Sequence, residues 1–326
     1  MRVILLGPQR RPTLDAVVRS LHLDGAGPGG AGLGGPVATI TAGWQDRESD
    51  DGELSALLGG RDVNLGLYRR WLEVAELDPA YAAAERRLAD ELAELQDIYL
   101  LRLDHALRAV YALQRRSGDQ LRAQAVDEAV AAVRELDAAH LRRVNQARGE
   151  FFADLRPHDR PVIARQRALV AEILGEAAAL VVAGGHVGVL ADVLHLFNVA
   201  PGLGSGTLGP GAPVIAWSAG AMALTDRIVL FGDRSPQGPG HPEVYGAGLS
   251  VLRDVVLLPH ARARLLLDQV ARMAVFARRF SPGRCVLLDS GARIELDTGG
   301  DTGGGGWPAG TRVLAADGRA TALEAA

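Results

Sequence analysis

Lysine is missing from this chain of 326 residues, so all 35 basic side chains are arginine. Without a side-chain amine there is no Schiff-base lysine, no Ser-Lys dyad and no phosphate-binding lysine of a Walker loop. Cysteine is scarce too. Cys285 stands alone in the sequence, which excludes an intramolecular disulfide and a multi-thiolate metal centre. Its setting, RCVLLDSG, reads as a buried strand and gives it a structural role. No apolar run approaches the length of a membrane span, and Val3 to Leu6 is shorter than the hydrophobic region of a signal peptide, so a cytoplasmic, membrane-free protein is expected. Net charge is −4 and the pI about 6.1, which leaves no global positive field to recruit nucleic acid or anionic lipid. The pairs Arg69-Arg70 and Arg86-Arg87 lie on helical patterns beside Glu and Asp and read as solvated faces.

What is present is apolar and rich in glycine. At 48% hydrophobic, the chain can bury one large core with an elaboration. RVILLG at 2–7 reads as a strand ending on glycine, followed after Pro12 by a helical pattern through Leu21. The Gly-rich stretch 25–35 lacks the strand-to-helix context that would let it hold a phosphate, and PVATITAGW at 36–44 reads as a second buried strand. From 65 to 155 no strand pattern survives. Asp78-Pro79 is a helix start, and Leu88, Leu92, Leu95, Tyr99, Leu103, Ala106, Val110 and Leu113 recur in steps of three or four. Ser117-Gly118-Asp119 breaks the pattern, and Val126, Val130, Val133 and Leu136 resume it. The expectation is a helical hairpin, 65–155, inserted between an N-terminal part (1–64) and a C-terminal part (156–326) of one α/β domain. So long a stripe favours a homodimer. His105 and His140, within it, have no ligand partners at metal-binding spacing and read as ordinary helix residues.

After Pro161 strands and helices alternate: a helix to Glu176, AALVVAGG, a helix from Val187, then PVIAWS. That rhythm predicts a mostly parallel sheet with helices on both faces, whose reactive groups gather at the carboxyl ends of the strands. Gly184-Gly185 and Ser218 fall at such ends. In VIAWSAGAMAL, Ser218 sits where a strand gives way to a helix, the arrangement of a nucleophile elbow, with Ala216, Ala219 and Gly220 small enough for a tight turn. The Ala219 amide can then face an oxyanion, with a second donor from the Gly184-Gly185 end. An N-cap serine would leave a similar trace. The base a serine needs is best supplied by His260, at the end of DVVLLPH. Asp226, Asp233, Glu243 and Asp254 lie between serine and histidine as candidate orienting carboxylates, Asp233 following a strand that can return it to the site.

These segments resemble the peptidase E and cyanophycinase group of serine peptidases, whose fold is similar to class I glutamine amidotransferases. AWSAGAMAL is similar to that family's Gly-x-Ser-Ala-Gly-Ala elbow, VVAGGHVGVL to its Gly-Gly strand end, and LLPHARARL to the segment carrying its histidine. The likeness covers 160–297 well and 1–64 weakly, with no counterpart for the hairpin. It implies Ser218 as nucleophile, His260 as general base, Gly185 and Ala219 as oxyanion donors, and Asp233, fifteen residues after the serine, as orienter. Gly184, His186, Trp217, Arg262 and Arg264 are the expected substrate contacts, the two arginines suiting the acidic residues such peptidases take beside the cleaved bond. No cofactor or metal is implied. Departures are His186-Val187 where the family has polar residues, Ala261 where an aromatic is common, and Leu258-Pro259 in place of cyanophycinase's Asp-Gln, which argues against cyanophycin. The expected function is amide hydrolysis in a small acidic peptide or peptide-like metabolite. The alternatives are a non-catalytic relative that binds through its hairpin, and an enzyme that passes its acyl group to an amine.

Overall fold

The computed structural model describes residues 1–9, 13–25, 34–116, 120–204, 208, 211–234, 240–298 and 306–324. Pro12, most of the glycine-rich stretch and the Ser117-Gly118-Asp119 break lie outside them. The elements are β1 (Arg2–Leu6), α1 (Thr13–Leu21), β2 (Val37–Ile40), α2 (Gly52–Leu57), β3 (Asp62–Asn64), α3 (Leu67–Leu77), α4 (Pro79–Gln114), α5 (Gln120–Leu155), α6 (Pro161–Glu176), β4 (Ala179–Val182), α7 (Val187–Leu196), α8 (Val199–Gly204), β5 (Val214–Trp217) and α9 (Ala219–Ala223). Then come β6 (Ile228–Leu230), β7 (Glu243–Gly246), β8 (Val255–Pro259), α10 (Ala261–Arg264), α11 (Val270–Phe280), β9 (Arg284–Leu288), β10 (Arg293–Asp297), β11 (Arg312–Leu314) and β12 (Ala320–Ala322).

The protein is α/β, built on a mixed sheet in the order β10-β1-β5-β4-β2-β3. β1, β5, β4, β2 and β3 pair in parallel and β10 closes the β1 edge antiparallel. Strands β1, β2, β4 and β5 are buried on nearly every residue, as apolar runs without alternation require when both faces are covered. A second sheet, β12-β11-β9-β8, pairs β8 with β9 in parallel, and β6 pairs with β7. The strand expected to run from 36 to 44 ends at Ile40. Ala42–Arg47 is instead a kinked 3₁₀ turn.

The 65–155 segment holds three helices. α3, a separate short helix, packs on the α/β body, while α4 and α5 lie against each other for their whole length. Asp78 caps α4 by accepting from the Tyr81 amide, and Pro79 follows at the first helical position. The stripe from Tyr99 onward is covered by the chain itself, while Leu88, Leu92 and Leu95 are half-buried. Tyr99, Leu103, Leu107 and Val110 share one buried cluster with Val126, Val130 and Val133 and with Val229, Val244 and Phe276 of the α/β body. Among the described residues no helix is long and apolar enough to cross a membrane.

Candidate active site

β5 lies at the middle of the main sheet, and its last residue hands over to Ser218, which holds φ 52°, ψ −123°. An L-residue adopts that conformation only when its surroundings impose it. The imposing groups are backbone. A methyl at Gly220 would lie 2.3 Å from the Val182 carbonyl oxygen, and one at Gly184 would lie 2.8 Å from Ser218 Cβ and 3.3 Å from its Oγ. Glycine at both positions lets β4's end and α9 close on the serine. The Ser218 side chain makes no capping bond to α9, which separates it from an ordinary N-cap serine.

Gly185, φ 127°, follows on the β4 end, where a side chain would strike the Gly43 carbonyl oxygen at 2.3 Å. The His186 amide donates to that same oxygen at 2.7 Å, so the ends of β4 and β2 are locked together. Gly185 is exposed and Ala219 buried.

His260 follows β8 in the left-handed region, φ 57°, ψ 34°, and is the residue immediately before α10. Its amide donates to the Leu288 carbonyl at 3.0 Å. β8 and β9 pair as far as Pro259 with Leu288, so His260 and Asp289 are the residues that follow the last pair. α9, which Ser218 begins, packs against β8, which His260 follows. β1's end closes the ring, since the Asp289 carbonyl oxygen is 1.9 Å from where a methyl on Gly7 would sit.

Asp233 is buried with both oxygens engaged. Oδ1 accepts from Arg272 at 2.6 Å and Oδ2 from the Leu266 amide at 3.1 Å. Its own amide donates to the Arg264 carbonyl at 2.8 Å, one turn along α10 from His260, whose carbonyl accepts the Arg264 amide at 2.9 Å. Asp226 pairs loosely with its neighbour Arg227, and Glu243 is on β7, where burial raises its pKa. Asp254 precedes β8, at the end of that strand away from His260. Asp289, which follows β9, has a side chain 16% exposed; its Oδ1 accepts from the Arg262 amide at 2.8 Å and its Oδ2 faces Arg312 at 3.4 Å and Arg262 at 3.6 Å, so both of its oxygens are engaged as well. Asp289 lies outside the serine-to-histidine interval that holds the four sequence candidates, and the β8-β9 pairing brings it to the end of β9 next to the end of β8.

The expected substrate contacts fare differently. Trp217 is 8% exposed and packs in the core with Ile4, Leu14 and Val17, so it does not present its ring to a ligand. His186 caps α7, its Nδ1 accepting from the Val189 amide at 3.2 Å. Arg262 is exposed and reaches Asp289 at 3.6 Å; Arg264 is exposed on the same short helix. Cys285 is buried, and desolvation pushes its thiol up to about 12, the state of an inert core thiol. Among the described residues no group of three or more His, Cys, Asp or Glu is placed to hold a metal ion.

The site is thus a strained serine at a strand-to-helix corner, flanked by a glycine strand end on one side and a histidine-bearing strand end on the other. No family model matches the chain, and no curated protein does. Among solved structures it is similar to a peptidase from an acI-B1 Actinobacterium, 15% identical, over 99% of this chain and 94% of that one, with a TM-score of 0.45. At that distance the chemistry rests on this chain's own residues.

Proposed function

We propose that the chain is a serine hydrolase that cleaves an amide bond in a small acidic peptide or peptide-like metabolite through an acyl-enzyme on Ser218. The observation that carries the reading is the Ser218 backbone: a strained corner with a hydroxyl not spent on capping, at the carboxyl end of a central strand. The resemblance to the peptidase E and cyanophycinase group, and through it to a class I glutamine amidotransferase-like fold, supports the same reading.

In this scheme His260 removes the Ser218 proton as Oγ attacks the amide carbon. The carbonyl electrons move onto oxygen, where the Ala219 and Gly185 amides stabilise them. The C–N bond breaks as His260 returns the proton to the departing amine. Water then attacks the ester with His260 again as base, releasing the acid and restoring the serine. Asp289, which follows β9 where His260 follows its paired strand β8, orients the imidazole in this scheme; Asp233 is the alternative from the family pattern. Arg262, exposed beside Asp289, is suited to a substrate carboxylate.

Intact mass after exposure to a fluorophosphonate tests the scheme. One adduct is expected on wild type, none on Ser218→Ala, and labelling slowed by about 10²-fold or more in His260→Ala. Asp289→Asn should slow labelling more than Asp233→Asn. The reverse order would return the orienting role to Asp233, and a wild type that takes no adduct while folded would end the hydrolase reading.

A further inference from the structure

A second residue holds the conformation of Ser218. Gln45, φ 58°, ψ −125°, lies in the turn after β2, on the same edge of the same sheet with β4 between the two. The turn around it is fastened on both sides. Before the kink, Gly43 takes the His186 amide and abuts Gly185, and the Trp44 amide donates to the Thr41 carbonyl at 2.8 Å. After it, the buried Glu48 carboxylate accepts the Tyr68 and Arg69 amides at 2.9 Å each, while its carbonyl takes the Thr41 hydroxyl at 2.8 Å. The strain is therefore held in place by neighbours, as at the serine.

The turn carries Trp44, which packs on the cluster of Ile4, Leu14 and Leu54 and, unlike Trp217 within that cluster, is only half-buried. The half-buried indole lines a cleft of about 570 Å³, shared with Gly185, with Leu54 on its wall. Arg47, Asp50 and Glu53 supply its charges, and Arg47 is already paired with Asp50 at 3.1 Å. The charged lining sums to one negative charge and does not attract a carboxylate. An indole face beside it suits a flat apolar ring or a cation.

The strand order fixes which part of a substrate would lie there. β2, β4 and β5 carry Trp44, Gly185 and Ser218 in turn, and β1's end, on the other side of β5, abuts Asp289, which follows β9 as His260 follows β8. His260 must protonate the departing amine, so the leaving group lies on its flank, with Arg262. The opposite flank is left to the acyl group.

We infer that Trp44 determines acyl-side specificity: the cleft it shares with Gly185 receives an aromatic or cationic side chain on the acyl side of the scissile amide, while a substrate carboxylate belongs to the leaving group. This rests on the serine-hydrolase reading above and refines its acidic substrate. Dipeptides of the same composition in opposite order test it: Phe-Asp and Arg-Asp against Asp-Phe and Asp-Arg, followed by release of free amino acid. The expected result is kcat/KM at least tenfold higher for Phe-Asp and Arg-Asp. Trp44→Ala should lower kcat/KM for these two at least tenfold through KM with kcat held, and Trp44→Phe should restore most of it for Phe-Asp. Equal rates in both orders, a preference for acyl-side Asp, or a Trp44→Ala enzyme with unchanged KM would overturn the inference while phosphonate labelling of Ser218 kept the hydrolase reading alive. Should wild type turn over no dipeptide, calorimetric titration of Ser218→Ala protein with phenylalaninamide and with aspartic acid α-amide decides instead. Tighter binding of phenylalaninamide that disappears when Trp44→Ala is added sustains the cleft assignment, and no binding, or binding indifferent to Trp44, overturns it.

Discussion

Two regions of this molecule are held in place by opposite means. At the sheet edge that carries Ser218, position is set by side chains that are missing: Gly184, Gly185 and Gly220 each lie where a methyl would come within 2.8 Å of a neighbouring atom, so strand ends and helix meet backbone to backbone. At the foot of the helical hairpin, position is set by side chains that are present and fully used. Arg279, 3% exposed, donates from Nε to Asp137 Oδ2 at 2.6 Å and from Nη2 to Oδ1 at 2.7 Å, reaches Tyr99 at 2.9 Å, and gives Nη1 to the Pro242 carbonyl. Tyr99 in turn donates to Asp137 and accepts from the Val244 amide. α4, α5, α11 and β7 thus close on one buried ion pair. The edge stores strain and holds a half-buried serine whose hydroxyl caps no helix. The foot stores none and exposes nothing, as suits a reactive corner and an anchor respectively.

The contrast is sharpest where the anchor is broken. Asp137→Ala strands a buried guanidinium, and loss of one partner from a buried pair costs roughly 3–5 kcal/mol. Denaturant unfolding should show that loss, while the folded fraction labels with phosphonate at close to the wild-type rate. A labelling rate that falls in step with stability would mean the hairpin foot and the site are one unit. Replacing Asp137 and Arg279 together by Leu and Met should cost less than Asp137→Ala alone, because no charge is then left unpaired.

A smaller effect comes through pH. His140 stacks on Tyr99, ring centroids 4.0 Å apart, and burial holds its pKa below the usual 6.5 despite the nearby Asp137. His195 and His241 are lowered by burial as well. A histidine kept neutral in the fold refuses a proton that the unfolded chain accepts. Stability is therefore unaffected above pH 6.5 and falls as pH drops below it, until the folded-state pKa is reached. Denaturation midpoints from pH 7.5 to 5.5 should fall less in His140→Phe than in wild type. Parallel curves would show that His140 titrates alike in the folded and the unfolded chain.

How much of this could be read from the sequence differs between the regions for the same physical reason. Local backbone demands leave local marks: Gly-Gly at 184–185 and Ser-Ala-Gly at 218–220 announce two strand ends, and Asp78-Pro79 announces α4. Pairings between distant segments leave none. Asp289 comes to the strand end next to the one His260 follows only through the register of β8 and β9, and the Arg279–Asp137 pair joins residues 142 positions apart. Trp217 reads differently in the fold because both faces of β5 are covered: the period-two rule sends Ala216 into one core cluster and Trp217 into the other. The turn at Gln45 is likewise silent, because glutamine is not the residue type that advertises a positive φ.

The smallest predicted effect bears on the sheet edge itself. Ser218 and Gln45 both hold backbone angles that suit glycine far better, at a cost on the order of 1–3 kcal/mol each. Glycine relieves that strain but adds about 0.5–1 kcal/mol of unfolded-chain freedom. Ser218→Gly and Gln45→Gly should therefore each stabilise the fold by about 1 kcal/mol, seen as a higher denaturant midpoint at unchanged m-value. Ser218→Ala keeps the strain and removes the hydroxyl, so it should gain little. Together the three variants separate strain from chemistry. If Ser218→Ala and Ser218→Gly were equally stable, the corner would be unstrained and the elbow reading would lose its main support. If Gln45→Gly alone gained nothing, the β2 turn would owe its shape to its own sequence rather than to the clamp that Gly43 and Glu48 place on it.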